Sequence, residues 1–522
     1  MRSTPVTEVE WIKREQRIGG ARRMISDQVQ LKTREEFLQI SGKRPSFFAG
    51  NIVLPPSKSY IHRALFVASL AKGRSTISGL GRGVLSDDAR ATIRFLKALG
   101  TRISEDCSGT ITLQGLGGEF HTPKGPINVG GSGTTARFAI SLAAITKNSG
   151  YTTIVGDPSL SKRPMKPLLN ALAQLGVECY SDNKSSFTLP INVKGGGIKG
   201  GRCVIDSSMS SQFISSLLIA CTRAKENSTI VISNPARSVS EPYIDATLAV
   251  LGRYGFEVKQ SSTRGVRGSE KKAKEFWVRA EQVVGGRAFR VPGDMSSAAA
   301  LIGAALSSGG KLELQGIDSE LPQPDSAILG IANTFGARIS VAKDRATIDA
   351  LRAVQRTKRK TLIFDLKDSP DIVPVVVAIA AGTDHKARIY NVGHLRFKES
   401  DRLSTLAKEF TRLGVQIGET RDSISVLMEG RKPSVAVKRK PLVLDPQNDH
   451  RMLMAFTIAG LSGRFGQFLI KDPSCVNKSY PSFIEDLQAL CRDDYKVKSL
   501  SIVSKGEAWP KQDRGGRGAI DE

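Results

Sequence analysis

Cysteine and histidine are sparse in this chain, and neither residue type is arranged as metal ligands usually are. The six cysteines among 522 residues include no CxxC pair, and the five histidines show no HExxH spacing. Zinc sites commonly show such paired ligands, and scattered cysteines are typical of reduced, cytosolic proteins. We therefore expect a cytoplasmic protein without a metal site.

Long apolar runs are also missing. The longest, VVVAIAA at 375–381, is far shorter than the roughly 20 residues that a membrane-spanning helix needs. The first 45 residues contain ten Lys or Arg and six Asp or Glu but no apolar core, so we expect no secretory signal. These patterns predict no membrane association, an N-terminal extension at 1–45 and a basic, disordered tail at 496–522.

Acidic residues are too few to balance the basic ones, and the formal net charge is +26. Much of the excess lies in basic runs at 263–274, 351–360 and 430–440, which are not interleaved with aromatic residues. We interpret these runs as solvated insertions, with a polyanion-binding surface as the alternative. The other basic residues stand singly inside motifs, which favours small anionic substrates over nucleic acid.

The chain contains an internal repeat of about 80 residues, which helix ends reveal first. Five amphipathic helical patterns end in a glycine that precedes apolar or β-branched residues, as in a left-handed cap that leads into a strand. A sixth pattern has cysteine at this position. The six positions, 76 to 81 residues apart, are Gly100, Gly176, Gly255, Gly336, Gly414 and Cys491.

Helix starts repeat with the same period. Six polar or glycine-rich turns, each 43 to 48 residues before its partner position, open an apolar helix rich in small residues. They begin at Ser57, Gly130, Ser207, Gly293, Ser369 and Asn448. Each unit therefore contains one buried and one amphipathic helix with short strands between them. Three units per lobe predict an α/β protein of two lobes.

Cations stand in the first turns of several of these apolar helices, where they oppose the positive end of the helix dipole. Lys58, Arg63, Arg137 and Arg451 are of this kind. Capping explains the Ser, Gly and Asp residues of the turns, but it does not explain buried cations. If the helices of both lobes point their N-termini at a shared cleft, that cleft suits anions, and Arg451 faces a ligand.

Seven motifs occur in the order in which the 5-enolpyruvylshikimate-3-phosphate synthase family has them, and the chain resembles that family from about Gly50 to Leu490. The motifs are LPPSKSYIHRAL, SKRPMKPL, SMSSQF, SEPYID, FKESDRL, QNDHRM and VNKSYP. No single motif decides the matter, because SKS alone is common. Their shared order carries the resemblance.

The resemblance implies an inverse α/β barrel architecture, in which two lobes of three βαβαββ-type repeats each close over the substrates. The chain would cross twice between them. The first lobe would join 46–57 to 291–495, and the second lobe would cover 58–290. The active site would lie in the interlobe cleft.

The resemblance also implies a reaction. Family members transfer the enolpyruvyl group of phosphoenolpyruvate to the 5-hydroxyl of shikimate 3-phosphate and release phosphate, in the pathway to chorismate and the aromatic amino acids. No metal or organic cofactor takes part. We expect these two anions as partners, no membrane or nucleic acid, and a monomer.

Site residues carry over only where this sequence matches the family's motifs. Those implied for shikimate 3-phosphate are Lys58, Ser59, Arg63, Ser210, Ser211, Gln212, Ser240, Tyr243, Asp371, His394 and Lys398. Those implied for phosphoenolpyruvate are Lys58, Gly133, Arg163, Gln212, Arg402, Arg451 and Lys478. Asp371 would accept the proton of the 5-hydroxyl, and Glu399 with Lys58 would handle the methylene proton.

Two positions depart from the pattern of many members. Gly131 replaces an asparagine, which removes one side-chain donor near the phosphoenolpyruvate site. His394 also stands where many bacterial members have asparagine, and it can still donate one hydrogen bond.

Two other functions are alternatives: a sister enolpyruvyl transferase acting on a UDP-linked amino sugar, UDP-N-acetylglucosamine, and a basic RNA-binding repeat protein related to RNA terminal-phosphate cyclases. Ser59 after Lys58 disfavours the first, since that family has asparagine there, and the ordered motifs disfavour the second.

Overall fold

A computed structural model describes residues 36–81, 85–263, 273–351, 361–427, 442–492 and 500–504. The basic runs at 351–360 and 430–440 lie almost wholly outside these ranges, as does most of the run at 263–274. Within the described residues, no helix combines the length and the apolar character needed to cross a bilayer.

The helices alternate with short strands along the whole described chain. The helices are α1 (Lys58–Leu70), α2 (Asp87–Ala98), α3 (Gly133–Ala143), α4 (Lys166–Gln174), α5 (Gln212–Ala220), α6 (Pro242–Tyr254), α7 (Met295–Ser308), α8 (Ala327–Thr334), α9 (Val373–Thr383), α10 (Arg402–Arg412), α11 (His450–Gly460) and α12 (Phe483–Leu490).

The strands are mostly three to seven residues long. They are β1 (Glu36–Ile40), β2 (Phe47–Val53), β3 (Lys72–Ser78), β4 (Arg102–Glu105), β5 (Ile111–Leu116), β6 (Ile127–Asn128), β7 (Tyr151–Val155), β8 (Cys179–Asn183), β9 (Thr188–Lys194), β10 (Gly201–Ile205), β11 (Ser228–Ile232), β12 (Val258–Thr263), β13 (Ala273–Val278), β14 (Ala288–Arg290), β15 (Lys311–Gln315), β16 (Arg338–Val341), β17 (Arg345–Asp349), β18 (Leu362–Asp365), β19 (Ala387–Tyr390), β20 (Ile417–Glu419), β21 (Ile424–Val426), β22 (Leu442–Leu444), β23 (Phe468–Lys471), β24 (Cys491–Arg492) and β25 (Leu500–Ser504).

The predicted repeat is visible in the sheets of the described chain. In the orders β6-β7-β9-β8, β10-β11-β13-β12 and β18-β19-β21-β20, a parallel pair is followed by antiparallel strands. An odd-numbered helix connects each parallel pair, for example α3 between β6 and β7. Parallel neighbours require such a crossover connection. The even-numbered helices then lead into the antiparallel strands.

Two repeats exchange their first strands, and we propose that the chain crosses between the predicted lobes at these two points. β2 pairs in parallel with β15, although α1 follows β2 in sequence. β14 pairs in parallel with β3, although α7 follows β14. The resulting sheets have the orders β16-β17-β15-β2-β24 and β14-β3-β5-β4. Each crossing segment is therefore anchored as a strand in the lobe that it is about to leave.

Burial separates the two helices of each repeat as the sequence predicts. Helices α7, α9 and α11 are buried along their whole length, and α1 is buried from its third residue onward. Small and apolar side chains all round suit such a position. In α2 and α10, by contrast, the apolar residues face one side and charged residues such as Lys97 and Lys408 face solvent.

Two separate hydrophobic clusters form the cores. One contains Leu38 to Leu54 together with Met295 onward, and it groups α7, α9 and α11. The other runs from Tyr60 to Val291, with Leu321 in addition, and groups α1, α3 and α5. We propose that these clusters are the cores of the predicted first and second lobes, with the boundaries near 57 and 291.

The two ends of the described chain are part of the first lobe. β1 pairs antiparallel with β23 and with β25, which gives a sheet of order β22-β23-β1-β25. Leu38 and Leu500 are almost fully buried in the core. The predicted limits of the N-terminal extension (1–45) and of the tail (496–522) therefore need correction. Residues 36–40 and 500–504 form strand hydrogen bonds and contribute side chains to the core.

The glycine positions of the repeat have the expected conformation. Gly100, Gly176, Gly255, Gly336 and Gly414 all have positive φ, between 81° and 99°. Residues with a Cβ are strained there. Cys491 instead has φ −78°, and the chain runs directly from α12 into β24. The sixth repeat therefore ends its helix without a left-handed cap.

Candidate active site

The starts of all six buried helices meet at one cleft between the lobes, as the repeat pattern predicts. The second-lobe wall consists of Lys58, Ser59, Arg63, Asp88, Gly133, Thr134, Arg137, Arg163, Ser210, Ser211, Gln212, Ser240 and Tyr243. The first-lobe wall consists of Asp294, Ser296, Asp371, Lys398, Glu399, Arg402, His450 and Arg451. Free N–H groups and several cations therefore converge on one volume, which suits anions.

The cap of α11 shows how such a wall is organised. Asp449 is fully buried, and its Oδ1 accepts from the backbone N–H of Arg451 at 2.9 Å. Its Oδ2 accepts from Arg402 Nε, also at 2.9 Å. One carboxylate thus stabilises the helix start and fixes the guanidinium of a neighbouring helix.

Arg402 holds three carboxylates in place. Its Nη1 donates to Asp371 Oδ1 at 2.8 Å, and its Nη2 donates to Glu399 Oε2 at 2.7 Å, while Nε contacts Asp449. Burial alone would lower the pKa of Arg402, but the three carboxylates outweigh it and raise that pKa. Arg402 is therefore a permanently charged centre that positions Asp371 and Glu399.

These two carboxylates remain ionised. Burial would raise the pKa of Asp371, but Lys398, Arg402 and Arg451 outweigh it, and the pKa lies far below the usual value. The same balance, with Arg163 and Arg402 as the main cations, lowers the pKa of Glu399. Each carboxylate can consequently accept a proton from a bound ligand near neutral pH.

The second-lobe wall holds its cations with neutral oxygens. Arg63 donates to Thr247 Oγ1 and to the backbone oxygens of Ser59 and Tyr243, each at 2.8 Å. Burial lowers the pKa of Arg63 to about 10, because no carboxylate compensates its charge. The guanidinium also lies over the ring of Tyr243, 5.8 Å from its centroid.

Arg137 and Gln212 form a second arrangement of this kind. Arg137 Nη1 donates to Gln212 Oε1 at 2.6 Å and lies 3.4 Å from Ser210 Oγ, while Gln212 Nε2 donates to Thr134 Oγ1 at 3.0 Å. Burial, followed by repulsion from Arg163, lowers the pKa of Arg137 to about 9. This part of the wall carries positive charge that an anionic ligand would neutralise.

Lys58 differs from these arginines because it has a carboxylate partner on its own lobe. Its Nζ donates to Asp88 Oδ2 at 3.0 Å, and Asp88 lies in the first turn of α2. Burial would lower the pKa of Lys58, but Asp88 and Glu399 raise it overall. Lys58 is therefore protonated at neutral pH and can donate a hydrogen bond or a proton.

Arg163 and Arg451 have donors that remain unused. Arg163 lies 3.5 Å from Glu399 Oε1 across the cleft, yet neither its Nε nor its Nη2 has a hydrogen-bond partner among the described residues. Arg451 Nη1 donates weakly to Ser296 O at 3.3 Å, and its Nε also lacks a partner there. Buried unsatisfied donors are costly. These two arginines are the best equipped to grip a carboxylate or phosphate.

Nearly all of the predicted site residues line this cleft, and two do not. His394 is buried beside the first-lobe wall, where burial followed by Lys398 lowers its pKa to about 3 and keeps the ring neutral. Lys478 donates to the backbone oxygen of Asn448 at 2.6 Å, at the turn before α11. Their roles in ligand binding stay predictions.

Several lining residues are missing from the motif-based prediction. They are Asp88, Thr134, Arg137, Asp294, Ser296 and His450. Arg137 is among the first-turn cations that the helix-start signal indicates, although no motif assigns it a role, and the same signal could have found His450. Asp88 has no such signal, because an acidic residue in a first turn is also an ordinary helix stabiliser. Burial followed by Lys58 and Arg451 lowers the pKa of His450, which is therefore neutral.

The arrangement offers no metal-type ligand set. Among the described side chains, no group of three or more His, Cys, Asp or Glu is placed to hold an ion. Asp371 and Glu399 are paired with arginines and lysines instead, and Asp294 accepts from Ser57 and Ser297. What the cleft can do chemically is bind anions and transfer protons.

Comparison with known proteins places the chain in a family. A family model described as EPSP synthase (3-phosphoshikimate 1-carboxyvinyltransferase) matches residues 43–487. The 3-phosphoshikimate 1-carboxyvinyltransferase of Methanocaldococcus jannaschii is 36% identical over 448 residues, which are 86% of this chain and 97% of that protein. The enzyme of the same name from Korarchaeum cryptofilum is 34% identical over 453 residues, again 86% of this chain and 97% of the other.

The fold is also found among solved structures. A solved EPSP synthase from Acinetobacter baumannii superimposes with a TM-score of 0.66 and 23% sequence identity, over 90% of this chain and all of that one. The two-lobe α/β architecture is thus that of known structures. On the extent and identity of the sequence match, the chain belongs to the EPSP synthase (3-phosphoshikimate 1-carboxyvinyltransferase) family.

Proposed function

We propose that this chain transfers the enolpyruvyl group of phosphoenolpyruvate to the 5-hydroxyl of shikimate 3-phosphate, which yields 5-enolpyruvylshikimate 3-phosphate and phosphate. The reaction belongs to the shikimate pathway to chorismate and the aromatic amino acids. The observation that carries the proposal is the convergence of six helix starts on one cleft lined by buried cations and ionised carboxylates. Both substrates are anions, and both reacting groups need proton transfer.

Shikimate 3-phosphate would bind mainly to the second-lobe wall. Ser210 and Ser211 stand at the start of α5, where hydroxyl and N–H groups can surround a phosphate. Arg63 and Arg137 carry buried charge, and burial lowers the pKa of both guanidinium groups even though Glu399 partly compensates Arg137. Remaining contacts would come from Lys58, Ser59, Gln212, Ser240, Tyr243, Asp371, Lys398 and His394.

Phosphoenolpyruvate would lie between the walls. Arg163 and Arg451 have unused donors, and a planar guanidinium binds a carboxylate or a phosphate in two places. The backbone of Gly133 allows close approach, since a Cβ there would stand 2.7 Å from Arg163 Nη1. Lys58, Gln212, Arg402 and Lys478 complete the proposed set. Arg402 would act partly through the carboxylates that it holds.

The chemistry requires one proton to leave an oxygen and protons to move at a carbon. Asp371 would accept the proton of the 5-hydroxyl as that oxygen bonds to the substituted carbon of phosphoenolpyruvate. The methylene carbon would gain a proton as the new C–O bond forms. It would lose a proton again as the C–O bond to phosphate breaks and the enol ether forms, and Glu399 and Lys58 would transfer these protons. Glu399 and Lys58 suit this exchange because one is ionised and the other protonated.

The protein would act in the cytoplasm as a monomer, without metal or organic cofactor, and its partners would be the two small anions. A phosphate-release assay on the full chain with both substrates tests the function. We expect phosphate only when both are present, with the enol ether identified by mass spectrometry.

The same assay separates the rival functions. Turnover with UDP-N-acetylglucosamine in place of shikimate 3-phosphate would identify the chain as the sister transferase. No turnover with either acceptor, together with salt-sensitive RNA binding, would favour the nucleic-acid-binding alternative.

A further inference from the structure

One loop of the first lobe reaches into the second lobe beside the proposed active site. Leu321 belongs to the first lobe in sequence, yet its side chain packs in the hydrophobic cluster of the second lobe. Two tyrosines of the second lobe donate to the same loop. Tyr60 Oη donates to the Pro322 oxygen at 2.9 Å, and Tyr243 Oη donates to Asp325 Oδ2 at 3.2 Å.

Asp325 is an unusual residue within this loop. Its side chain is 1% exposed, and Oδ2 accepts from both Tyr243 and Ser296. Its Oδ1 has no hydrogen-bond partner, and no lysine or arginine of the described chain forms an ion pair with it. A buried carboxyl group held in this way lowers the stability of the fold. Such a loss of stability is tolerated where the residue serves a function.

The partner of Asp325 belongs to the proposed shikimate 3-phosphate pocket. Tyr243 lines the cleft, and its backbone oxygen accepts from Arg63 Nη2 at 2.8 Å. The same ring lies against the guanidinium of Arg63. Whatever fixes the phenol end of Tyr243 therefore also fixes the wall that carries Arg63.

We propose that Asp325 is a positioning residue, which holds Tyr243 from across the interlobe cleft and so couples lobe closure to binding of shikimate 3-phosphate. The inference rests on the proposed function, since it concerns the same pocket. Asp325 does not line the cleft itself, so it would act on the ligand only through Tyr243.

The charges around Asp325 make this role dependent on pH. It is faced by the carboxylates of Asp371 and Asp294, the guanidinium of Arg451 and the phenol of Tyr243. Burial, followed by repulsion from Asp371, raises the pKa of Asp325 to about 7. Burial raises the pKa of Tyr243, which therefore remains a donor. The bond between them is charge-assisted only above pH 7, and it should be stronger there.

The first experiment compares Asp325→Ala, Tyr243→Phe and the double variant by calorimetric titration with shikimate 3-phosphate and by steady-state kinetics. A hydrogen bond to a charged group corresponds to a weakening of about 10- to 100-fold. We expect each single variant to raise KM for shikimate 3-phosphate on that scale at pH 8, with kcat changed only a few-fold. The double variant should be no worse than the more affected single one.

Tyr60→Phe is the matched control, because it removes a tyrosine hydrogen bond to the same loop outside the pocket. It should leave KM for shikimate 3-phosphate unchanged. Additive effects of the Asp325 and Tyr243 changes, or an equal effect of Tyr60→Phe, would overturn the positioning role.

The second experiment uses Asp325→Asn, which keeps the shape and one acceptor but never carries charge. At pH 6 its affinity for shikimate 3-phosphate should match that of the wild type, and at pH 8 it should be about 10-fold weaker, as expected for loss of one charge-assisted bond. A difference independent of pH would overturn the inference. Binding and turnover by the wild type at both pH values show that the proposed function holds; their absence would remove the function and this inference together.

Discussion

The two walls of the cleft bury their positive charge in opposite ways. On the first-lobe wall, Arg402 contacts three carboxylates within 3 Å, and its pKa is raised. On the second-lobe wall, Arg63 and Arg137 are held by hydroxyl, amide and backbone oxygens, and burial lowers the pKa of each. The charge of Arg402 on the first wall is thus compensated without a ligand, whereas burial outweighs any compensation of Arg63 and Arg137 on the second wall until an anion binds.

This difference assigns different work to the two walls. A compensated wall keeps Asp371 and Glu399 ionised and fixed in place, which is what proton transfer requires. An uncompensated wall has affinity for a phosphate group, which is what recognition requires. Changes in the first wall should therefore affect turnover and stability, while changes in the second should affect ligand affinity.

The largest effect is expected from Asp371→Asn, which keeps the shape of the side chain but removes its ability to accept a proton. Loss of a general base typically lowers the rate by roughly 10²- to 10⁴-fold. We expect kcat to fall on this scale, while calorimetric affinity for shikimate 3-phosphate changes far less. If kcat stays within a few-fold of the wild type, Asp371 only binds or caps, and Glu399 or Lys58 must accept the proton.

Arg402→Gln tests the claim that the charge of Arg402 is compensated without a ligand. Removal of the guanidinium takes one of several cations from Asp371 and Glu399 and leaves Asp449 without its arginine. Breaking a buried ion pair costs about 3–5 kcal/mol of unfolding free energy. The pKa values of Asp371 and Glu399 are lowered in the fold, so their contribution is present above about pH 4 and is lost on acidification. The destabilisation should therefore be larger at pH 7 than at about pH 2, which lies well below the ordinary carboxyl pKa.

Urea denaturation at both pH values measures this effect, and Arg396→Gln is the matched control. Arg396 also contacts two carboxylates, Asp401 at 2.9 Å and Glu419 at 2.8 Å, but it is partly exposed to solvent. Ion pairs of that kind contribute about 0–1 kcal/mol. Equal losses for the two variants would contradict the assignment of a special role to Arg402.

Ser210→Ala acts on the second wall and should have a smaller effect. Ser210 Oγ accepts from the backbone N–H of Gln212 at 3.2 Å and lies next to Arg137, where the 3-phosphate is proposed to bind. Loss of one hydrogen bond to a charged group costs about 1.5–3 kcal/mol, so affinity for shikimate 3-phosphate should fall while kcat is retained. Ser208→Ala, in the same turn but outside the cleft, should change neither quantity.

The sequence predicts the repeat and the cleft well, because both depend on local signals. A glycine such as Gly100 or a helix start such as Ser57 is recognisable within a few residues, and six copies at one period reinforce each other. The strands β1 and β25 are not predictable in this way. Each is five residues long, which is too short for a clear alternating pattern. Their pairing joins segments more than 400 residues apart, so no connecting turn indicates it either.

The site shows the same limit. Motifs indicate which residues face the cleft, but they do not indicate which partner each one meets. Asp88 reaches Lys58 from another helix, and Asp325 reaches Tyr243 from another lobe. Both contacts are set by packing, and no spacing along the chain corresponds to them.

The smallest effect is expected at the protein surface, where Arg253 and Glu320 form an ion pair between the lobes at 3.2 Å. Both side chains are more than half exposed, at 58% and 63%, so water and salt screen their attraction. We expect Glu320→Gln to change stability by less than about 0.5 kcal/mol, which is usual for surface substitutions, and to leave both KM values unaltered. The ion pair joins the same two lobes as the hydrogen bond between Tyr243 and Asp325 but does not line the pocket. The variant therefore shows whether any contact between the lobes affects binding, or only one at the pocket. If Glu320→Gln weakens shikimate 3-phosphate binding more than three-fold, closure depends on this surface ion pair, and the charges of the two inner walls do not control it.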